Sequence, residues 1–166
     1  MGIAAKLPAM GFPDRLAQAL EAASFTPDER TYATREQCGT FALVLYDLLA
    51  EHSQLPQIVA FGNDPNWDSP WLHSPLGYKL PGLIRRPHLN HIAVRLEDRF
   101  FDINGEAQAA DLANAYDANG MIALDRAVLR RKVGSSYRQP LYFDAAFYFD
   151  AKRRLSAALA SPDIRL

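Results

Sequence analysis

The sequence predicts an α+β fold in which a buried central helix packs on an antiparallel sheet. A nearly continuous apolar run over residues 41–49 indicates a helix that is buried on most of its faces. Two β-branched and aromatic runs, separated by a short polar turn, predict a hairpin. Helical patterns stand at both ends of the chain with the strands between them, an order typical of α+β proteins. The length of 166 residues suits one domain, 1–166.

The composition excludes several classes of protein. Hydrophobic residues make up 49% of the chain and charged residues 22%, a balance that excludes wholesale disorder. The 18 basic and 19 acidic residues give a formal net charge of -1, whereas nucleic-acid-binding proteins usually carry a basic excess. The sequence shows neither the pattern of a signal peptide nor the roughly 18-residue apolar run of a membrane helix. We therefore expect a cytoplasmic protein that binds neither nucleic acid nor a membrane.

The first half of the chain is predicted to be mainly helical. Apolar residues recur on one face over 12–23 and predict a helix, whereas the polar stretch over 24–33 predicts a loop. Thr34 and Gln37 match the capping box, in which Ser or Thr precedes Glu or Gln by three residues, so the central helix is predicted to start there. It should end near His52, because a proline follows soon after.

The second half is predicted to supply the sheet and the remaining helices. A strand is predicted over 57–61, and a long proline-rich loop over 62–90 leads into the hairpin strands 91–96 and 100–103. The other predicted elements are a helix over 107–116, a strand over 121–124, a short helix that Asp125 caps over 125–131, and a helix over 144–160.

Cys38 is the single cysteine and the first candidate for chemistry. One cysteine excludes an internal disulfide or a multi-thiolate zinc site and favours a reducing compartment. The residue opens the central helix, where unpaired N–H groups and the helix dipole stabilise negative charge. We therefore expect the pKa of this thiol to be lowered, as in reactive cysteines. The same amides could hold an oxyanion during acyl transfer.

His91 opens the first hairpin strand and is the candidate base. Three residues are candidates for the group that orients its ring. If the turn directly follows Leu96, Asp102 is the diagonal neighbour of His91 at roughly 7 Å between backbones, and Asn104 lies directly opposite. If the turn is shifted by one residue, Glu106 lies opposite instead. The sequence leaves these alternatives open.

Three short blocks of sequence resemble the transglutaminase-like branch of the papain-like cysteine enzymes. In that family a cysteine opens the central helix, a histidine opens one strand and an aspartate lies on the next, which is the chain order found here. The blocks are Gln37-Cys38-Gly39-Thr40-Phe41-Ala42, His91-Ile92-Ala93-Val94-Arg95-Leu96 and Arg99-Phe100-Phe101-Asp102.

The resemblance implies a papain-like core with Cys38 as nucleophile, His91 as base and Asp102 as the group that orients it. Gln37 resembles the oxyanion glutamine of these enzymes loosely, and in the alternative it is the capping-box residue. The implied activity is cleavage of a peptide, isopeptide or side-chain amide in a protein or peptide substrate, through a thioester. The alternatives are a transglutaminase or deamidase acting on protein glutamine, possible in a bacterial effector or toxin, and a catalytically inactive binding module on the same fold.

The long loop and the histidines raise two further hypotheses. The loop is expected to border the active cleft, and its substrate-binding candidates are Trp67, Trp71, His73 and Tyr78. In the alternative these side chains only pack the loop onto the body of the protein.

His88 with His91 and Asp102 would be a metal-site alternative, but His-x-x-His in this setting is not a zinc signature, so we expect no metal. P-loop and Rossmann glycine patterns are missing as well, and we expect no cofactor.

Overall fold

The computed structural model describes residues 10–63, 88–135 and 143–164, in which helices pack on a five-stranded antiparallel sheet. The α+β prediction is therefore confirmed. The helices are α1 (Phe12–Ala22), α2 (Pro27–Arg35), α3 (Cys38–Glu51), α4 (Ala109–Ala115), α5 (Arg126–Ser135) and α6 (Ala145–Ala160), followed by a 3-10 turn at Pro162–Ile164. The strands are β1 (Gln57–Asn63), β2 (His88–Leu96), β3 (Arg99–Asp102), β4 (Gly105–Ala107) and β5 (Gly120–Leu124).

The sheet has the order β4-β3-β2-β1-β5, and each neighbouring pair is antiparallel. Leu96 pairs with Arg99 across the β2–β3 hairpin, so the turn is the one that directly follows Leu96. Glu97 in this turn has a φ of 58°, a left-handed conformation that tight hairpin turns require. The first of the two predicted registers is therefore the observed one.

The loop predicted over 24–33 is wrong, because this stretch contains α2. Its capping box is formed by Thr26 and Glu29: the Glu29 N–H donates to Thr26 Oγ1 at 3.2 Å, and the Thr26 N–H donates to Glu29 Oε2 at 2.7 Å. Pro27 occupies the first helical position, where its missing N–H costs nothing. The capping box predicted at Thr34 is wrong as well, since Thr34 lies in the last turn of α2 and donates to the Arg30 carbonyl at 2.9 Å.

The sheet separates two apolar clusters because successive strand residues point to opposite faces. On one face, Ile58 and Val94 join the main core with the largely buried helix α3 and with α1, α5 and α6. On the other face, Val59 and Phe61 pack with Leu112 of α4. The central helix and the sheet thus share the main core, and the second face is covered by α4. In the described ranges, no helix is both long and apolar enough to cross a membrane.

Candidate active site

Cys38 is the first residue of α3 and is 2% exposed. The preceding Gln37 makes no side-chain cap on the helix, so the N–H groups of the first turn are open toward the thiol. Hydrogen bonds from the backbone N–H groups of Ile92, Gly39 and Cys38 itself favour the thiolate. The start of α3 thus lies against strand β2 at the residue that follows His91.

The pKa of Cys38 is nevertheless raised, from an ordinary 9.0 to about 11. Burial is the largest cause, because a thiolate loses its hydration inside the protein, and the nearby charge of Asp102 adds to the shift. The expected lowering of this pKa is therefore wrong. The helix N-terminus acts in the expected direction, but desolvation outweighs it, and the resting sulfur is a neutral thiol at neutral pH.

Gly39 allows the start of α3 to lie close to α5. A Cβ built at this position would lie 2.8 Å from Cγ1 of Val133, shorter than real Cβ contacts. It would also touch Ile92 and Leu129 at 3.6 Å. The missing side chain therefore fixes how deeply the cysteine-bearing end of the helix is seated between the sheet and α5.

His91 and Asp102 lie on adjacent strands and form a buried pair. The distance from His91 Nε2 to Asp102 Oδ2 is 2.9 Å, and the two residues are 1% and 5% exposed. The other carboxylate oxygen, Oδ1, accepts the backbone N–H of Asn104 at 2.7 Å. The Asn104 residue itself is exposed, and Glu106 pairs with Arg99 on the surface. Of the three residues that the sequence offered as partners, the structure thus brings Asp102 to the imidazole.

The two ring nitrogens of His91 have different surroundings. Because a carboxylate only accepts hydrogen bonds, Nε2 is the ring nitrogen that donates to Asp102, and in a neutral imidazole Nδ1 is then the nitrogen without a proton. Nδ1 is buried and has no hydrogen-bond partner among the residues that the structure describes. The Cys38 thiol is thus not bonded to the ring in this resting conformation, and such catalytic hydrogen bonds often tighten only when substrate binds. The bare nitrogen is the atom able to accept a thiol proton.

Gln37 is 1% exposed and connects the start of α3 to the start of α6. Its Oε1 accepts the Thr40 hydroxyl at 2.7 Å and the backbone N–H of Asp144 at 3.2 Å. Asp144 in turn caps α6 by accepting the Phe147 N–H at 3.0 Å. The capping-box alternative for Gln37 is wrong, because its predicted partner lies inside α2. An oxyanion role would use the Nε2 amide of Gln37 and stays a prediction.

Tyr116 is a site residue that the sequence reasoning missed. It is the C-cap of α4, and its ring stacks on the His91 imidazole with 3.7 Å between centroids and 4° between planes. Burial and then the charge of Asp102 raise the pKa of the Tyr116 phenol. A tyrosine at the end of a short helix carries no special sequence signal, and its contact with His91 spans 25 positions along the chain.

The predicted substrate-binding residues Trp67, Trp71, His73 and Tyr78 lie outside the described residues. Within the described ranges, no group of three His, Cys, Asp or Glu side chains is arranged to hold a metal ion. A cavity of about 390 Å³ lies between α3, α5 and α6, away from the thiol. Its carboxylate, Asp47, is already engaged by Arg126 and by the Tyr148 hydroxyl at 2.6 Å.

The part of the site that the structure describes therefore combines a thiol at a helix N-terminus, a carboxylate-bound imidazole with one bare nitrogen, and an aromatic ring stacked on that imidazole. A thiol, a carboxylate-bound imidazole and free backbone N–H groups are the groups that cysteine-dependent acyl transfer uses. Comparisons with models of protein families, with curated proteins and with solved structures find no match for this chain.

Proposed function

We propose that this chain is a cysteine-dependent acyl-transfer enzyme that cleaves amide bonds with Cys38, His91 and Asp102. The observation that carries the proposal is the buried 2.9 Å pair between His91 Nε2 and Asp102 Oδ2. It leaves His91 Nδ1 without a partner in the described part of the chain. The next residue of the strand, Ile92, donates its backbone N–H to the Cys38 sulfur. A helix that starts with the cysteine, packed on a sheet whose adjacent strands hold the histidine and aspartate, also supports a papain-like core.

The reaction starts from a neutral thiol. The Cys38 proton moves to Nδ1 of His91 as the sulfur attacks the amide carbonyl carbon, so that a C–S bond forms and the carbonyl becomes an oxyanion. Backbone N–H groups at the start of α3 are the donors available to that oxyanion. Asp102 holds the ring in one tautomer and stabilises the imidazolium that forms.

The second half of the reaction returns the enzyme to its first state. The imidazolium gives its proton to the leaving nitrogen, the C–N bond breaks, and a thioester on Cys38 remains. Water then adds to the thioester while His91 accepts its proton, and the acid leaves as the thiol is restored. If a primary amine replaces water, the same steps give transamidation, and if the amide is a glutamine side chain, water gives deamidation.

A raised pKa at Cys38 makes the base essential. Near neutral pH very little of the thiol ionises on its own when its pKa is about 11. Proton removal by His91 in the transition state is therefore expected to contribute about 10²- to 10⁴-fold to the rate. The favoured reading is hydrolysis of a peptide, isopeptide or side-chain amide, and a deamidase or transglutaminase follows as the second possibility.

A substrate screen tests the proposal. Wild type and Cys38→Ala are incubated with peptides, with isopeptide-linked lysine peptides and with glutamine peptides, each with and without a primary amine. Mass spectrometry then distinguishes cleavage, deamidation and transamidation and detects an acyl group on Cys38. A product that forms with wild type and not with Cys38→Ala supports the proposal. An equal product yield from both proteins contradicts it.

A thiol-reactivity assay tests the base without a substrate. The rate of Cys38 alkylation by iodoacetamide at neutral pH is expected to fall in His91→Gln and in Asp102→Asn. Since the chain has one cysteine, the alkylated site is unambiguous. Asn104→Ala decides the orienting group, because a larger loss there than in Asp102→Asn would move that role to Asn104. Equal rates in wild type and His91→Gln would leave a binding module on this fold as the better reading.

A further inference from the structure

The imidazole of His91 is held on one face by the ring of Tyr116. The rings are parallel within 4° with centroids 3.7 Å apart, which is full face contact rather than an edge contact. The phenol of Tyr116 also lies close enough to Asp102 for the carboxylate charge to raise the tyrosine pKa. Tyr116 therefore stacks on His91 and lies within the electrostatic influence of Asp102.

The backbone of Tyr116 is tied to the strand that carries His91. The Nδ2 amide of Asn90 donates to the Tyr116 carbonyl at 2.9 Å and to the Asp117 carbonyl at 3.0 Å. Asn90 directly precedes His91, so the end of α4 and the start of the histidine segment are joined at one point. The stack is thus built on two anchored backbones.

The hydrogen bond to Asp102 alone does not fix the imidazole. It directs Nε2, but the ring can still tilt out of its plane around that bond. A parallel ring at 3.7 Å opposes tilting toward its side, because the rings are already at contact distance. An aromatic face also attracts a cation, and the imidazolium that forms after proton transfer is one.

We propose that Tyr116 is a positioning residue for the reaction: its ring holds the His91 imidazole in the plane that keeps Nε2–H on Asp102 and Nδ1 open to the Cys38 proton. This inference rests on the proposed function in so far as it concerns catalysis. The face of the aromatic ring restrains the imidazole, so Tyr116→Phe should keep most of this restraint and Tyr116→Leu should lose it. A matched control is Tyr148→Phe, which removes a tyrosine hydroxyl bonded to Asp47 in the α3, α5 and α6 region.

Nuclear magnetic resonance of the full chain tests the orientation directly. With ¹⁵N-labelled histidine, the spectrum contains signals from four residues, and those of His91 are the ones that vanish in His91→Gln. Wild type is expected to show the Nε2–H tautomer and ring protons shielded by the tyrosine face. Tyr116→Phe and Tyr148→Phe should keep this pattern, and Tyr116→Leu should lose the shielding and mix the tautomers. An Nδ1–H tautomer in wild type overturns the inference even if Tyr116→Leu fails to fold.

Alkylation by iodoacetamide tests the consequence for reactivity. Because removing Tyr116 also uncovers the site, the measured quantity is the effect of His91→Gln in the wild-type and Tyr116→Leu backgrounds. The His91-dependent acceleration should shrink by about 2- to 12-fold in Tyr116→Leu, the range that an aromatic stacking contact supplies. Full acceleration in that background overturns the positioning role and leaves the proposed function intact. No acceleration by His91 in wild type overturns the proposed function, and the spectra still decide the orientation.

Discussion

The stability of the protein should fall more steeply with rising pH in wild type than in Cys38→Ala. In the folded chain burial raises the pKa of Cys38 to about 11, against an ordinary value of 9.0. Below pH 9 the thiol keeps its proton in both the folded and the unfolded state. Between the two values the unfolded chain releases the proton and the folded chain retains it, so the free energy of unfolding decreases as pH rises. Once the pH exceeds both pKa values, the free energy of unfolding has decreased by about 3 kcal/mol, since one pKa unit corresponds to about 1.4 kcal/mol.

Urea denaturation at pH 8 and at about pH 10.5, under reducing conditions, measures this effect. Wild type should lose about 2 kcal/mol more than Cys38→Ala between the two conditions. The partly buried phenols of Tyr116 and Tyr148 also have raised pKa values and lower the stability of the protein at high pH. Both tyrosines are present in both proteins, so the difference between the two losses of stability gives the contribution of the Cys38 thiol.

Two outcomes of that measurement would refute the reasoning. Equal losses in wild type and Cys38→Ala would mean that the folded thiol titrates as an exposed one does. A smaller loss in wild type would mean that the N–H groups of α3 outweigh burial and lower the pKa of Cys38. In that case the resting sulfur would be ionised more readily than a free thiol, and the base would be less important than we propose.

Two further predictions concern the elements around the site. Gly39→Ala should cost about 1–3 kcal/mol of unfolding free energy by overpacking against Val133. Gly11→Ala should cost less, because its Cβ would meet only contacts of 3.6 Å and the loss is limited to the preference of the α1 N-cap for glycine over alanine. Thr26→Ala should cost about 1 kcal/mol by removing the α2 cap, whereas Thr31→Ala on the exposed side of the same helix should cost nothing. Thermal and urea denaturation of the four variants check both, and equal losses within either pair would contradict the corresponding structural reason.

The hairpin and the partner of His91 could be predicted because they depend on local rules. Strand side chains alternate with a period of two, and the length of the turn after Leu96 determines which residues face each other. Once that turn is chosen, Asp102 is placed diagonal to His91 with no knowledge of the rest of the fold. The sequence could not choose the turn, because a shift by one residue leaves an equally polar connection.

The start of the central helix shows how two equal signals can mislead. Thr26 with Glu29 and Thr34 with Gln37 both match the capping-box spacing, and the second pair directly precedes the apolar run. The position of Pro27 distinguishes them, since proline favours the first turn of a helix. With Pro27 in the first turn, Thr26 and Glu29 predict α2, and Gln37 then lies between two helices.

The sign of the pKa shift at Cys38 and the contact of Tyr116 could not be predicted, because both depend on tertiary packing. A helix N-terminus can be recognised in the sequence. How deeply it is buried between the sheet and α5, which the missing side chain of Gly39 permits, cannot be recognised there. The tyrosine approaches His91 from another element, through an anchor at Asn90 that no spacing rule connects to it. Sequence patterns thus select the candidate groups, and tertiary packing sets the pKa of the thiol and the orientation of the imidazole.

The cluster formed by Cys38, His91 and Asp102 is costly for folding where it lies. Among the described residues the buried Nδ1 has no hydrogen-bond partner and loses about 1–3 kcal/mol of solvation, and the buried Asp102 carboxylate loses part of its hydration. Apolar side chains would avoid both costs at these positions, so stability alone gives no reason for the arrangement. The proposed reaction does give one, because a general base that takes the proton of a neutral thiol needs an unprotonated ring nitrogen held in a fixed plane. The features that oppose folding are therefore the same ones that the proposed reaction uses.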